Sequence, residues 1–111
     1  MFEDYNFGKG VTYKYIDFQV DENLSFEEQC WSYKQDMLNI EYNEGAYQLD
    51  VGWYSCFNPS GTFKIVVIKD NDWETPVKIE RCREMRELVE HMERFVAYIQ
   101  EELGKQHQQN L

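Results

Sequence analysis

Long apolar runs are missing from this chain. None of its 111 residues lies in a stretch approaching the ~18 apolar residues of a membrane-crossing helix, which excludes a helical membrane protein. A basic-then-apolar leader is missing too: the chain starts MFEDYNFGKG, acidic and polar, so cytoplasmic residence is expected. Cysteine pairs are lacking. Cys30, Cys56 and Cys82 stand about 26 residues apart with no CxxC, which fits reduced, mostly buried thiols better than a disulfide framework or a zinc site. Histidine is scarce, and neither His91 nor His107 sits in a segment with the character of an active-site loop, so no Ser/His/acid or Cys/His arrangement can be assembled. Phosphate-cradling GxGxxG and GxxxxGK[ST] loops are absent. Asp70 and Asp72 flank Trp73, but that loop has neither the central glycine nor the further alternating ligands of a calcium site. No catalytic residue, cofactor or metal is expected, and the chain reads as a binding domain rather than an enzyme.

Positive charge is the other shortage. Eleven Lys and Arg face 21 Asp and Glu, for a formal net charge of -10. The imbalance is concentrated in residues 1–62, where eleven acids meet only Lys9, Lys14 and Lys34; the remainder holds ten acids and eight bases. A field of this sign repels nucleic acid and anionic membrane and steers basic partners inward. Aromatics are plentiful, yet the interleaved basic residues of a nucleic-acid binder are not there.

What is present is periodicity. Val11–Phe18 alternates as a strand. Ser25-Phe26-Glu27-Glu28 reads as a capping box, followed by Phe26, Cys30, Tyr33 and Met37 at helical spacing, so a helix of about three turns is expected within residues 25–37. Leu38, Ile40 and Tyr42 alternate with polar residues. Tyr47, Leu49, Val51, Trp53 and Phe57 form one side of a long strand, in which Gly52 suits a bend or a close approach. Asn58-Pro59-Ser60-Gly61 is turn chemistry: Pro59 presets φ at the second turn position and Gly61 tolerates positive φ. Phe63–Lys69, FKIVVIK, is apolar enough for a central strand covered on both faces. Val77–Cys82 alternates again. From Glu84 the stripe Met85, Leu88, Val89, Met92, Phe95, Val96, Ile99 and Leu103 marks a long helix, capped near Gly104. A helix apolar along one side must cover the sheet. The fold class expected is α+β: a two-layer sandwich in a single domain 1–111, with an antiparallel four- to five-stranded meander under a long C-terminal helix. Residues 1–10 are expected to be a loose arm, although Phe2, Tyr5 and Phe7 are able to dock, and residues 104–111 a frayed tail.

Eight Tyr, three Trp and seven Phe exceed what one core of this size needs, and Tyr and Trp are favoured contact residues. Trp73, in a polar loop with Asp70, Asp72 and Glu74, is the expected exposed anchor, while Trp31 is open between core and surface. The run Asp50-Val-Gly-Trp-Tyr54, then Asn58-Pro-Ser-Gly61, Phe63, Val67-Ile68, Asp72-Trp73 and Pro76, followed by a helix, resembles small immunity proteins of bacterial polymorphic-toxin loci, including contact-dependent growth inhibition systems. The resemblance covers about residues 36–100 and carries no catalytic or binding position over. It implies a cytoplasmic inhibitor that binds the C-terminal toxin domain of its own system, often a nuclease with a basic cleft; the oligomeric state is left open, with a monomer favoured. Asp17, Asp21, Glu22, Glu27, Glu28, Asp36, Glu41 and Glu44 are then the expected complementary face. The alternative is a non-catalytic accessory domain that homo-oligomerises through a strand edge.

Overall fold

A computed structural model describes residues 2–109, with side chains described for 2–105. Five strands, β1 (Val11–Ile16), β2 (Leu38–Tyr42), β3 (Tyr47–Tyr54), β4 (Thr62–Lys69) and β5 (Lys78–Cys82), precede one long helix, α1 (Met85–Gln109). The strands form one antiparallel sheet in chain order, a five-stranded meander packed against α1, and the fold is α+β in two layers. Among the described residues no helix is long and apolar enough to cross a membrane.

Period-two alternation decides the inner face. Leu38, Ile40 and Tyr42 of β2 sit in register with Val51, Leu49 and Tyr47 of β3, and Val51, Leu49 and Trp53 with Ile65, Val67 and Phe63 of β4. All are buried, as are Met85, Leu88, Met92, Phe95 and Ile99 on the facing stripe of α1. That stripe follows the 3.6-residue period, and apolar burial of this kind contributes about 25 cal/mol per Å².

The N-terminal arm is not loose. α1 contacts β3, β4 and β5, and the arm covers the β1–β2 side that the helix leaves bare. Phe2 and Phe7 are buried. Phe2 stacks edge-on against Phe18 at 4.9 Å, and the buried Tyr42 hydroxyl donates to the Phe7 carbonyl at 2.6 Å. Burial drives the Tyr42 phenol pKa far above its ordinary value, so it stays a donor. Lys9 and Gln100 exchange two hydrogen bonds at 2.9 Å, which tie the arm to α1. At the other terminus α1 runs through Gly104 to Gln109 instead of ending there; residues 110 and 111 lie outside the described residues.

The helix expected within 25–37 is reduced to a 3₁₀ helix, Glu27–Ser32, interrupted at Gln29 (φ -140°). The Ser25–Glu28 contact does form: the Ser25 hydroxyl accepts the Glu28 amide at 3.3 Å and donates to its carboxylate at 3.1 Å. Two other demands stop the helix. Gln29 turns its amide inward, donating to the Asp21 and Leu24 carbonyls and accepting from the Asp21 amide. Residues 34–37 are then drawn into pairing with β3, where Lys34 O accepts from Trp53 N (2.8 Å) and Met37 N donates to Val51 O (3.1 Å). Phe26 and Tyr33 still face inward, clamped on Trp53 with ring centroids 5.8 and 4.7 Å away.

Both central glycines serve close approach. A Cβ on Gly52 would land on the Gln35 carbonyl oxygen, where the 34–37 segment crosses β3. A Cβ on Gly61 would meet the Trp53 indole nitrogen at 2.5 Å and the Tyr54 carbonyl at 2.6 Å; Gly61 is not among the residues with positive φ, so it is the close approach that requires glycine there. The turn itself closes through Gly61 N to Asn58 O at 3.0 Å. Of the three free thiols only Cys82 is buried, and burial pushes its pKa up to about 11; Cys56 is exposed, because β3 ends at Tyr54 and the chain leaves the sheet. Phe57 leaves the strand with it and lies exposed against Trp31, centroids 4.9 Å apart.

Candidate functional site

The second face of the sheet carries the other half of the alternation: Asn39 and Glu41 from β2, Gln48 and Asp50 from β3, Lys64 from β4. Tyr13 and Tyr15 of β1 join it. A register shift between Val11 and Tyr13 lets Val11 pack on the core while the two tyrosines, paired with Glu41 and Asn39, stand on the outer side. Separating Val11 from Tyr13 corrects the simple alternation read along β1.

No helix covers this face; residues 70–77 do. Asp70 and Asn71 take positive φ (52° and 61°) and reverse the chain after β4. The Asp72 carboxylate then accepts the Glu74 and Thr75 amides (3.2 and 3.3 Å) and the Thr75 hydroxyl, which hold it below the usual carboxylate range, the hydroxyl bond being the largest influence. Val77 rejoins the sheet through Val67 O at 2.9 Å. Trp73 is thereby laid back across the outer face, with Val66 and Ile68 buried beneath the loop and a cavity of only about 50 Å³ left between them. This is the double cover expected of β4. A chain of side-chain amides registers the loop on the strands: Trp73 Nε1 donates to Asn71 Oδ1 (2.9 Å), Gln48 Nε2 to the same oxygen (3.1 Å), and Asn39 Nδ2 to Gln48 Oε1 (3.2 Å) and Asp50 Oδ2 (3.0 Å).

On the other side of Trp73 lies an open groove of about 480 Å³, bounded by Tyr13, Tyr15 and Trp73, with Asn39, Asp50 and Asp36 along it. The three aromatics remain 51%, 39% and 46% exposed. Asp50 is half-buried. Desolvation raises its pKa, the nearby Asp36 charge adds to the rise, and the Asn39 hydrogen bond and Lys64 oppose it. The Lys64 ammonium sits 5.1 Å from the Tyr54 ring centre, and among the described residues no Lys or Arg lines the groove.

The acids expected to form one complementary face are not gathered in one place. Asp36 borders the groove, and Glu41 lies half-buried on the same outer face. Asp17 is ion-paired with Lys34. Asp21, Glu22, Glu27 and Glu28 lie on the β1–β2 crossover, where the Asp21 carboxylate is engaged by the Asn23 amide at 2.8 Å. Glu44 is at the tip of the β2–β3 hairpin with φ 59°, at the end where Asp70 N bonds Ala46 O. Asp70, Asp72 and Glu74 are exposed in the Trp73 loop. Sequence reasoning missed Tyr13, Tyr15, Asn39 and Asp50 as site residues. For Asn39 and Asp50 the signal was present as the polar half of each strand's alternation; plain alternation put Tyr13 and Tyr15 on the side of Val11, and only the register shift separates them.

Chemically the groove offers aromatic faces and two carboxylates without a nucleophile beside a base. Among the described residues no three His, Cys, Asp or Glu side chains come together as a metal site. Comparison with protein-family models, with curated proteins and with solved structures finds no match.

Proposed function

We propose that this chain is an immunity protein, a non-catalytic domain that binds the C-terminal toxin domain of its own bacterial system and neutralises it, the toxin being a nuclease with a basic cleft. The observation that carries the reading is the outer sheet face, where three half-exposed aromatics and the Asp50 carboxylate are held in place by strands and by the amide chain from Asp50 to Trp73, with Asp36 at the groove's border. Aromatic anchors on a rigid surface give protein-protein contacts their central grip. Five strands at ~4.8 Å spacing and about 20 Å in length present a face of roughly 500 Å². A stable complex buries about 800 Å² on each partner, so the face needs the loops at its ends as a rim. The acids of the crossover, the β2–β3 hairpin and the Trp73 loop supply that rim, and with a net charge of -10 they raise the rate of encounter with a basic partner.

Co-expression with the toxin domain encoded upstream tests the reading. Wild type protects the cell and co-purifies with the toxin; the double variant Tyr15→Ala, Trp73→Ala, if folded, loses the complex; charge-neutral variants of Glu27, Glu28 and Glu44 keep it but associate more slowly with a flatter salt dependence. Absence of a complex with the wild-type protein sinks the proposal. A second reading rests on β5, an edge strand with Ile79 49% exposed and Val77 39% exposed beside it: homo-oligomerisation by strand addition. Sedimentation equilibrium showing a concentration-independent monomer removes it.

A further inference from the structure

We infer that the groove between the β1 tyrosines and Trp73 receives one arginine side chain of the bound protein, its guanidinium between aromatic rings and its N–H groups on the Asp36 and Asp50 carboxylates. The inference rests on the reading that this face binds a protein and names the chemistry of the central contact. Charge complementarity argues for it. Two carboxylates lie along a groove lined, among the described residues, by no Lys or Arg; the Lys64 ammonium sits over the Tyr54 ring, and Lys34 is ion-paired with Asp17, whose carboxylate also accepts the Tyr15 hydroxyl at 3.5 Å. Asp50 Oδ2 accepts from Asn39 Nδ2, which leaves carboxylate lone pairs for further donors. Desolvation raises the Asp50 pKa, so a cation docked beside it relieves a cost already present in the free protein.

Arginine fits better than lysine. A guanidinium is planar, stacks on aromatic faces and presents N–H groups in a fork suited to carboxylates, whereas an ammonium is a compact, strongly hydrated point charge. The walls are positioned in advance: Trp73 is fixed through Asn71 and Gln48, and Tyr13 and Tyr15 stand on a paired strand.

Titration of ¹⁵N-labelled protein with N-acetyl-Gly-Arg-Gly-amide, and with the same peptide carrying neutral citrulline, reads the pocket directly and uses no toxin. The arginine peptide should shift the Trp73 indole and Asn39 side-chain resonances saturably at millimolar concentration, with the citrulline peptide at least ~10-fold weaker. The same peptide carrying lysine in place of arginine should fall between them. Asp36→Asn/Asp50→Asn should weaken the arginine peptide by ~10-fold or more without altering the citrulline peptide, the rest of the spectrum verifying the fold. Equal shifts with arginine and citrulline, an unchanged arginine affinity in the double variant, or shifts that map away from Trp73 overturn the inference. If the peptide fails while a toxin complex still forms, only the arginine pocket falls. If the peptide binds and no toxin is recognised, the pocket stands and the immunity reading falls.

Discussion

The two faces of one sheet are built on opposite terms. The inner face is covered by a 25-residue helix and a docked aromatic arm, and its side chains from β2, β3 and β4 are almost entirely buried. The outer face is covered mainly by the 70–77 loop, which buries Val66 and Ile68 and leaves Tyr13, Tyr15 and Trp73 half in solvent, with the Gln35 carbonyl crossing at Gly52. One face is packed for stability. The other keeps polar groups in a hydrogen-bonded chain and a desolvated carboxylate, which contribute little to stability and fit the proposed binding role. The contrast teaches where substitutions should cost folding and where they should cost binding.

The sharpest break comes on the inner side. Phe63 touches Phe18, Tyr33 and Trp53, so Phe63→Ala should lose about 3–5 kcal/mol in denaturant unfolding. Gly52→Ala tests the outer side's one tight backbone crossing. The new methyl meets the Gln35 carbonyl, and a loss of about 2–3 kcal/mol is expected, seen as a lower denaturation midpoint at unchanged slope. A neutral result there would mean that the 34–37 segment yields easily. Trp73→Ala should cost only about 1–2 kcal/mol, because the ring is half-exposed, while exposing Val66 and Ile68 to a hydrophobic dye and abolishing partner binding.

The smallest effect has the opposite sign. Asp50 has a raised pKa in the folded state, so between its unfolded and folded values the native protein holds more protons and stability falls as pH rises through that window. Asp50→Asn removes this penalty. It should be slightly more stable than wild type at pH 7, with the advantage fading as pH falls through that window and gone below about 4, where the wild-type carboxyl is protonated in both states. Equal stability at pH 7 would place Asp50 with the ordinary surface carboxylates and blur the distinction between the faces.

Legibility followed local physics. The strand alternations, the α1 stripe and the continuous apolar run of β4 each report a nearest-neighbour environment, and β4 was readable as covered on both sides. Phe26, Cys30, Tyr33 and Met37 misled because helical spacing within one segment does not register competition from β3 for the backbone of residues 34–37. Phe2 and Phe7 carry no periodicity, so their burial became visible only with the uncovered β1–β2 side beside them. For the candidate site, Trp73 and its acids were legible as an odd aromatic in a polar loop. Tyr13, Tyr15 and Asp50 were not, since they lie on β1 and β3, which are separated in sequence from each other and from the Trp73 loop.

By itself, then, the sequence determined the layers: which residues alternate, which stripe on α1 is apolar, and how strongly the chain is charged. These follow from backbone periodicity and side-chain transfer free energy, and both are local. Tertiary structure alone decided that the arm docks, that the crossover forgoes its helix, and that Trp73 lies back over β3 and β4 to make a groove with β1. Those outcomes depend on which surfaces are left uncovered once the sheet and helix have met, and on which backbone groups still need partners.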